Sequence, residues 1–290
     1  MSGFHVGYSS QGAGLRSSSR NHPSSLANSQ VILSYIHDEV TASQMVGPLA
    51  VQMRDVVHCS PIGLVPKGRG SGLWRMIVDL SYPEGRSVND GIPPGLCSLK
   101  YSSVDDALPF IRRLGHGTLL IKVDLKSAYR MVPIHTQDRH LFGICWDGHI
   151  YVDQALPFGL RSAPKLFSAV ADAIGWALAQ AGVPPLIHYL DDFLFFISPS
   201  SGREPLVLQH ILDVFRILGV PVAFHKIEGP ATVVTFLGVE VDTARFELRL
   251  PGRKLDRIRG LVRAWRGRRS GRCNEFESLL GHLSHAATVI

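Results

Sequence analysis

Cysteine is scarce, with four in 290 residues. Cys59, Cys97, Cys145 and Cys273 stand far apart, so no Cys-x-x-Cys pair exists and the common zinc and dithiol motifs are excluded. That scattering fits a reducing, intracellular setting. No apolar run approaches the roughly 20 residues that a membrane-spanning helix needs. The Ser-rich start, residues 1–30, lacks the basic-then-apolar order of a secretory signal and reads as a flexible leader. A Walker phosphate loop is missing as well, because no Gly-Lys-Ser/Thr follows the glycines after Lys67. What remains is a chain that is 45% hydrophobic, enough to bury a substantial core as one large domain or two lobes.

The formal charge is only +6, but it is unevenly placed. Nine basic residues crowd between Arg253 and Arg272 against the single acid Asp256, leaving the rest of the chain slightly acidic. Helical spacing puts Leu255, Ile258, Val262 and Trp265 on an apolar stripe, with Arg259, Arg263 and Arg266 on an adjacent flank. A solvated basic face and a polyanion contact are both consistent with this pattern.

Acidic residues carry the sharper signal. Asp191 and Asp192 interrupt the apolar run Pro185–Ile197, where two aromatic-rich segments read as paired strands and Asp-Asp as their turn. Taken alone, the pair could be simple turn chemistry. A third acid, Asp124, ends the strand-like run Thr118–Asp124, whose alternation sets Leu120, Lys122 and Asp124 on one face. Brought side by side, the three form an oxygen cluster that needs cations, for which magnesium is the natural partner. Asp105-Asp106 serves as a contrast, since its place at the start of a helix running to Leu114 explains it as capping.

The remaining patterning predicts a helix over Val31–Val46 closed by Gly47-Pro48, and a hairpin over Ser60–Asp79 with a Gly-rich basic tip. Lys67, Arg69 and Arg75 there could close over a triphosphate, or the tip could be an ordinary flexible hairpin. Asp147-Gly148 marks a hairpin over Leu141–Val152. A helix capped by Ser162 runs to Gly182 on Phe167, Val170, Ile174 and Leu178, and another runs from Glu204 to Gly219. Thr235–Val241 reads as one strand. Asn274 and Glu277 suggest a capping box, and Cys273, His282 and His285 suit helix packing better than a metal site.

From about Met45 onward the chain resembles the reverse transcriptases of LTR-type retrotransposons, most of all those of DIRS-like elements. Val123-Asp-Leu-Lys-Ser-Ala-Tyr129 matches the first catalytic motif of that family, Leu156-Pro-Phe-Gly-Leu-Arg-Ser-Ala-Pro164 the second, Tyr189-Leu-Asp-Asp192 the third and Phe236-Leu-Gly238 the primer grip. Four motifs in order are far more specific than any one. The resemblance implies an α+β right-hand polymerase fold with a ferredoxin-like palm, fingers and a helical thumb. It places the N-terminal helix and fingers at 31–118, the palm at 119–242 with part of the fingers at 130–155, and the thumb from 243 to 290, with an RNase H domain expected downstream.

The same resemblance implies RNA-directed DNA polymerase activity by two-metal nucleotidyl transfer, with two Mg2+ ions, or Mn2+ in their place, on Asp124, Asp191 and Asp192. Tyr129 becomes the ring that excludes a ribose 2′-OH, and Arg75 with Lys67 the triphosphate clamp. Leu125, Phe158 and Gly159 line the deoxynucleotide, and Lys226 protonates pyrophosphate. Phe236, Leu237, Gly238 and the arginines 259, 263 and 266 meet an RNA template, a DNA primer or their hybrid. Phe158 departs from the Gln of retroviral enzymes. Two other readings compete: a silent remnant that only binds nucleic acid through the basic helix, and an RNA-dependent RNA polymerase, which Tyr129 and the Leu-Pro-Phe-Gly motif oppose.

Overall fold

The computed structural model describes residues 2–9, 15, 20–68, 72–199, 204–268 and 270–289. Its helices are α1 (Pro23–Leu26), α2 (Ser29–Thr41), α3 (Leu108–Leu114), α4 (Ala163–Gln180), α5 (Glu204–Ile217), α6 (Gly252–Trp265) and α7 (Cys273–Ala286). The strands up to the middle of the chain are β1 (Met45–Leu49), β2 (Ile62–Pro66), β3 (Trp74–Val78), β4 (Leu119–Asp124), β5 (Gly143–Trp146) and β6 (His149–Asp153). Then follow β7 (Leu186–Tyr189), β8 (Asp192–Ile197), β9 (Glu228–Ala231), β10 (Val233–Phe236), β11 (Val239–Asp242) and β12 (Glu247–Arg249). Two compact units result: Met1–Lys100 with Ser127–Asp172, and Tyr101–Lys126 with Ala173–Ile290. Among the described residues no helix is long and apolar enough to cross a membrane.

The second unit is built on an antiparallel sheet ordered β7-β8-β4-β9. With α4 between β4 and β7 and α5 between β8 and β9, this is the β-α-β-β-α-β order of a ferredoxin-like sheet. The period-2 alternation of β4 and β8 explains why both faces are covered. Leu120, Leu194 and Phe196 pack with Ala107, Ile111, Phe236 and Val241 on one face. On the other, Phe193 meets Phe215 of α5 edge-on at 5.6 Å. Each such fully buried side chain contributes roughly 1.5–3 kcal/mol relative to exposure. Residues 101–118 belong to this unit because α3 lies on its core, Phe110 stacking on Phe196 at 4.9 Å. As expected, Asp106 accepts the Ser103 N–H (2.7 Å) and caps the turn that leads into α3.

In the first unit β1-β6-β5 form one sheet and β2-β3 a hairpin, with Ile32 and Ile36 of α2 buried against Met45, Ile62, Leu64 and Ile144. The Asp147-Gly148 hairpin is present, both turn residues at positive φ. Several expectations are corrected. The helix read over 31–46 ends at Thr41, and Met45–Leu49 is a strand, since Met45 gains more by pairing with Asp153 and burying its side chain than by extending α2. Ser162 does not cap α4: its hydroxyl is buried and has no hydrogen-bond partner among the described residues. The start of the chain is not simply a flexible leader. Phe4 donates its N–H to Pro133 O (2.8 Å), Val6 is buried and its N–H donates to Asp138 (2.9 Å), while residues 10–14 and 16–19 lie outside the described residues.

His58 is 6% exposed, and neither ring nitrogen has a hydrogen-bond partner among the described residues. Burial, helped by nearby His140, lowers its pKa to about 4. The unfolded chain takes up that proton near pH 6.5 and the folded one only near 4, so stability is complete above pH 6.5 and falls by roughly 3 kcal/mol as pH drops through this window. His58→Leu is expected to flatten that part of an acid-unfolding curve followed by circular dichroism. An unchanged slope between pH 6.5 and 4 contradicts the assignment.

Candidate active site

Asp124 ends β4 and Asp192 opens β8, and the antiparallel register makes them direct partners. Directly opposed residues share a face, so both carboxylates rise at one end of the sheet. Asp191 occupies the two-residue turn between β7 and β8, after Leu190 in a left-handed conformation (φ 52°). The Asp191 carbonyl accepts the Leu125 N–H at 3.0 Å, tying this turn to the residue after Asp124. Leu125 is itself buried, and its N–H is spent on that bond, so it offers a nucleotide neither side chain nor free donor. Beyond Asp124, Ala223 N–H donates to the Asp124 carbonyl (2.8 Å) and Lys126 N–H to Pro221 O (2.8 Å). These bonds draw in the turn Phe224–Lys226, where Lys226 Nζ lies 2.7 Å from Asp124 Oδ1.

The electrostatics follow from three acids in little water. Burial, then the charges of Asp124 and Asp191, push Asp192 up to about 6, with a side-chain hydrogen bond to Asp124 in the same direction. Burial also raises Asp191, against a backbone hydrogen bond of its own that lowers it. Lys226 is held above the usual lysine value, chiefly by its hydrogen bond to Asp124. Hard oxygen donors that resist ionisation on their own suit Mg2+ or Mn2+. Among the described residues, no three His, Cys, Asp or Glu side chains are already arranged to hold a metal ion. Asp124 meets the Lys226 ammonium and shares a hydrogen bond with Asp192.

The nucleotide-facing residues expected from the motifs lie in the first unit. Tyr129 follows Ser127, which is left-handed (φ 53°), and its ring centroid is 5.2 Å from Phe158 and 5.6 Å from Phe167, edge-on to the latter. Phe158 is half exposed. Gly159 takes φ 92°, a conformation that a side chain would strain. Its carbonyl accepts Asn89 Nδ2 (2.9 Å), and Asn89 Oδ1 accepts the Arg161 N–H (2.8 Å). Asn89 is buried and was missed, because a side chain that braces a distant turn leaves no periodic trace. In the β2–β3 hairpin Arg75 pairs with Val65, so Lys67, two residues further, shares its face; both are exposed. Arg69 lies outside the described residues.

The stretch read as one strand over 235–241 is a hairpin. Leu237 (φ 49°) and Gly238 (φ 76°) form a two-residue turn of the type that two positive φ values define. Phe236 is fully buried in the core and cannot touch nucleic acid, which leaves the turn as the accessible part of that motif. Lys254 Nζ donates to Gly238 O (3.0 Å) and lies 3.0 Å from His285 Nε2, tying the turn to α6 and α7. Along α6, Ile258 is buried while Arg259 and Arg263 are exposed; Arg266 is exposed just past the helix end. Arg259 carries a partner, Asp256, at 3.6 Å. In α7 it is Glu275, not Glu277, that closes the N-terminus, accepting the Arg272 N–H (3.1 Å), because the helix starts at Cys273.

Asp192→Asn removes one acid whose pKa is raised. Ionising that carboxylate costs the fold stability as pH rises from about 4 through 6. In magnesium-free buffer at pH 7.5 the variant is therefore expected to melt higher than the parent, by on the order of 1 kcal/mol after allowance for solvent screening. Lower metal-free stability in the variant contradicts the charge-crowding account.

A family model described as reverse transcriptase (RNA-dependent DNA polymerase) matches residues 65–241. The Transposon Tf2-3 polyprotein of Schizosaccharomyces pombe is 24% identical over 234 residues, 78% of this chain and 15% of its own length. The genome polyprotein of Petunia vein clearing virus is 26% identical over 143 residues, 49% of this chain and 6% of its own. The chain thus spans less than a sixth of the curated relatives it matches. Among solved structures, a foamy viral protease-reverse transcriptase in complex with RNA/DNA hybrid superposes with a TM-score of 0.72 at 22% identity, over 97% of this chain and 34% of that one. A complex of that viral protein with dsDNA gives 0.69, also at 22% identity, over 95% of this chain and 51% of that one. These likenesses show the α+β polymerase fold. With well over half of its length matched, the chain belongs to the reverse transcriptase (RNA-dependent DNA polymerase) family of nucleotidyltransferases.

Proposed function

We propose that the chain is the polymerase part of an LTR-type retrotransposon reverse transcriptase, adding deoxynucleotides to a primer 3′-OH on an RNA or DNA template. The observation that carries this is the opposed pair Asp124 and Asp192 at the sheet end, with Asp191 in the adjoining turn. Two divalent cations on these carboxylates would supply the positive charge that eases loss of the 3′-OH proton and offsets the pyrophosphate charge. The protein's own contribution is placement. Asp191 and Asp124 are held together by the Leu125 N–H, and Lys226, kept protonated by Asp124, stands ready to give a proton to pyrophosphate.

Tyr129 and Phe158 are read as the sugar-facing pair, and Lys67 with Arg75 as the triphosphate clamp, on the strength of their shared surfaces. Residues 31–118 and 130–155 are assigned to fingers, of which 101–118 pack on the palm sheet, 119–242 to palm and 243–290 to thumb. In the thumb the exposed Arg259 and Arg263 meet the phosphates of the primer–template hybrid, with Arg266 beside them, a salt-sensitive and sequence-tolerant contact. The sequence resemblance alone carries the assignment to a DIRS-like source and the expectation of RNase H downstream, and the polyprotein relatives support a longer natural product. An intracellular setting fits the scattered cysteines.

Primer extension on poly(rA)/oligo(dT) with dTTP and Mg2+ tests this reading. The parent chain is expected to extend the primer and Asp191→Asn to lose at least about a hundredfold in rate. Hybrid binding that persists without any extension by the parent, or extension that Asp191→Asn leaves intact, overturns it.

A further inference from the structure

Among the described residues of the first unit, Arg130, next to Tyr129, is the most heavily hydrogen-bonded side chain that the motifs leave without a role. Only 8% of its side chain is exposed. Nη2 donates to Glu39 Oε2 (2.6 Å), Asp153 Oδ1 (2.7 Å) and Gln44 O (3.1 Å). Nε donates to Glu39 Oε2 (3.0 Å) and Gln44 Oε1 (3.2 Å), and Nη1 to Ala155 O (3.0 Å). One guanidinium thus joins the end of α2, the entry to β1, the end of β6 and the residue three before Phe158. Burial works against its charge, but the carboxylates of Asp153 and Glu39 outweigh it and hold it protonated.

Such a buried triad adds little net stability, because desolvation consumes much of the Coulomb gain. Its rigid fork, however, fixes geometry closely. What it fixes here is the turn that carries Tyr129. Arg130 N–H donates to Ser127 O (2.8 Å) and Val132 N–H to Tyr129 O (3.1 Å), while Leu156 N–H donates to Val132 O (3.0 Å). The guanidinium bond to Ala155 O closes the same bracket from the side-chain end. Tyr129 is held on one arm of this bracket and Phe158 follows from the other, with their rings 5.2 Å apart.

We propose that Arg130, through Glu39 and Asp153, is a positioning residue for sugar discrimination: it holds the Tyr129 turn against the segment leading to Phe158 and so keeps closed the space that a ribose 2′-OH would need. This rests on the reading of Tyr129 as the sugar-facing ring. Loosening the bracket lets the two rings shift and opens that space.

The test measures kcat/KM for dTTP and for UTP on poly(rA)/oligo(dT), using the full chain and its Tyr129→Val, Arg130→Lys and Glu39→Gln variants. Glu39→Gln leaves the Asp153–Arg130 pair in place and so guards against a merely unfolded variant. Tyr129→Val is expected to raise relative use of UTP by about a hundredfold, and Arg130→Lys and Glu39→Gln by about tenfold, chiefly through the KM for UTP. If Tyr129→Val relaxes discrimination while Arg130→Lys and Glu39→Gln keep the parental ratio, the proposal is overturned and the reading of Tyr129 stands. If Tyr129→Val leaves the ratio unchanged, that reading falls and the proposal with it.

Discussion

Everything in the second unit turns on a repulsion that the fold itself creates. Asp124 and Asp192 are register partners in a sheet whose neighbouring residues are Phe, Leu and Val, and Asp191 is added by the turn. An apolar sheet gains by burying such positions, and three carboxylates there lose by it. The protein offsets part of the cost with Lys226 on Asp124 and with Asp192 pushed up to about 6. A cation of higher charge held by oxygen ligands would relieve the rest.

The first unit solves a different problem, that of holding exposed groups still. Phe158 is half exposed and Tyr129 only half-buried, so ring packing alone holds them incompletely. Their backbones are fixed instead from beneath, by Asn89 on the turn at Gly159 and by Arg130 on the turn at Tyr129. In both cases a buried polar side chain with several hydrogen bonds does what apolar packing cannot, since only directed bonds specify orientation. The Gly238 turn follows the same logic, with Lys254 and His285 reaching it from the two C-terminal helices.

Much of this was legible in the sequence where periodicity and charge coincide. The alternation of Leu119–Asp124, the apolar run broken by Asp191-Asp192 and the Asp147-Gly148 turn each follow from local rules, and each is found. The misreadings are equally physical. The helical pattern runs on through residue 46, but Met45 and Val46 pair with β6, because a tertiary strand partner outweighs propensity. Thr235–Val241 carries Gly238 as its one turn signal within a strand-like run, so its bend at Leu237 is hidden until a backbone with two positive φ values is seen. Phe236 was assigned to nucleic acid with its motif, whereas the alternation of β10 sends it inward. Asn89 and Arg130 act across more than 20 residues through hydrogen bonds, and no window of sequence contains both ends of such a bond.

The central claim is that Asp124, Asp191 and Asp192 act together as one cation-binding centre. Titrating Mn2+ into the chain with primer–template and dTTP present, and counting bound ions by electron paramagnetic resonance, tests it most directly. The account predicts two ions for the parent chain and loss of at least one with Asp124→Asn. Undiminished Mn2+ binding by Asp124→Asn would contradict it.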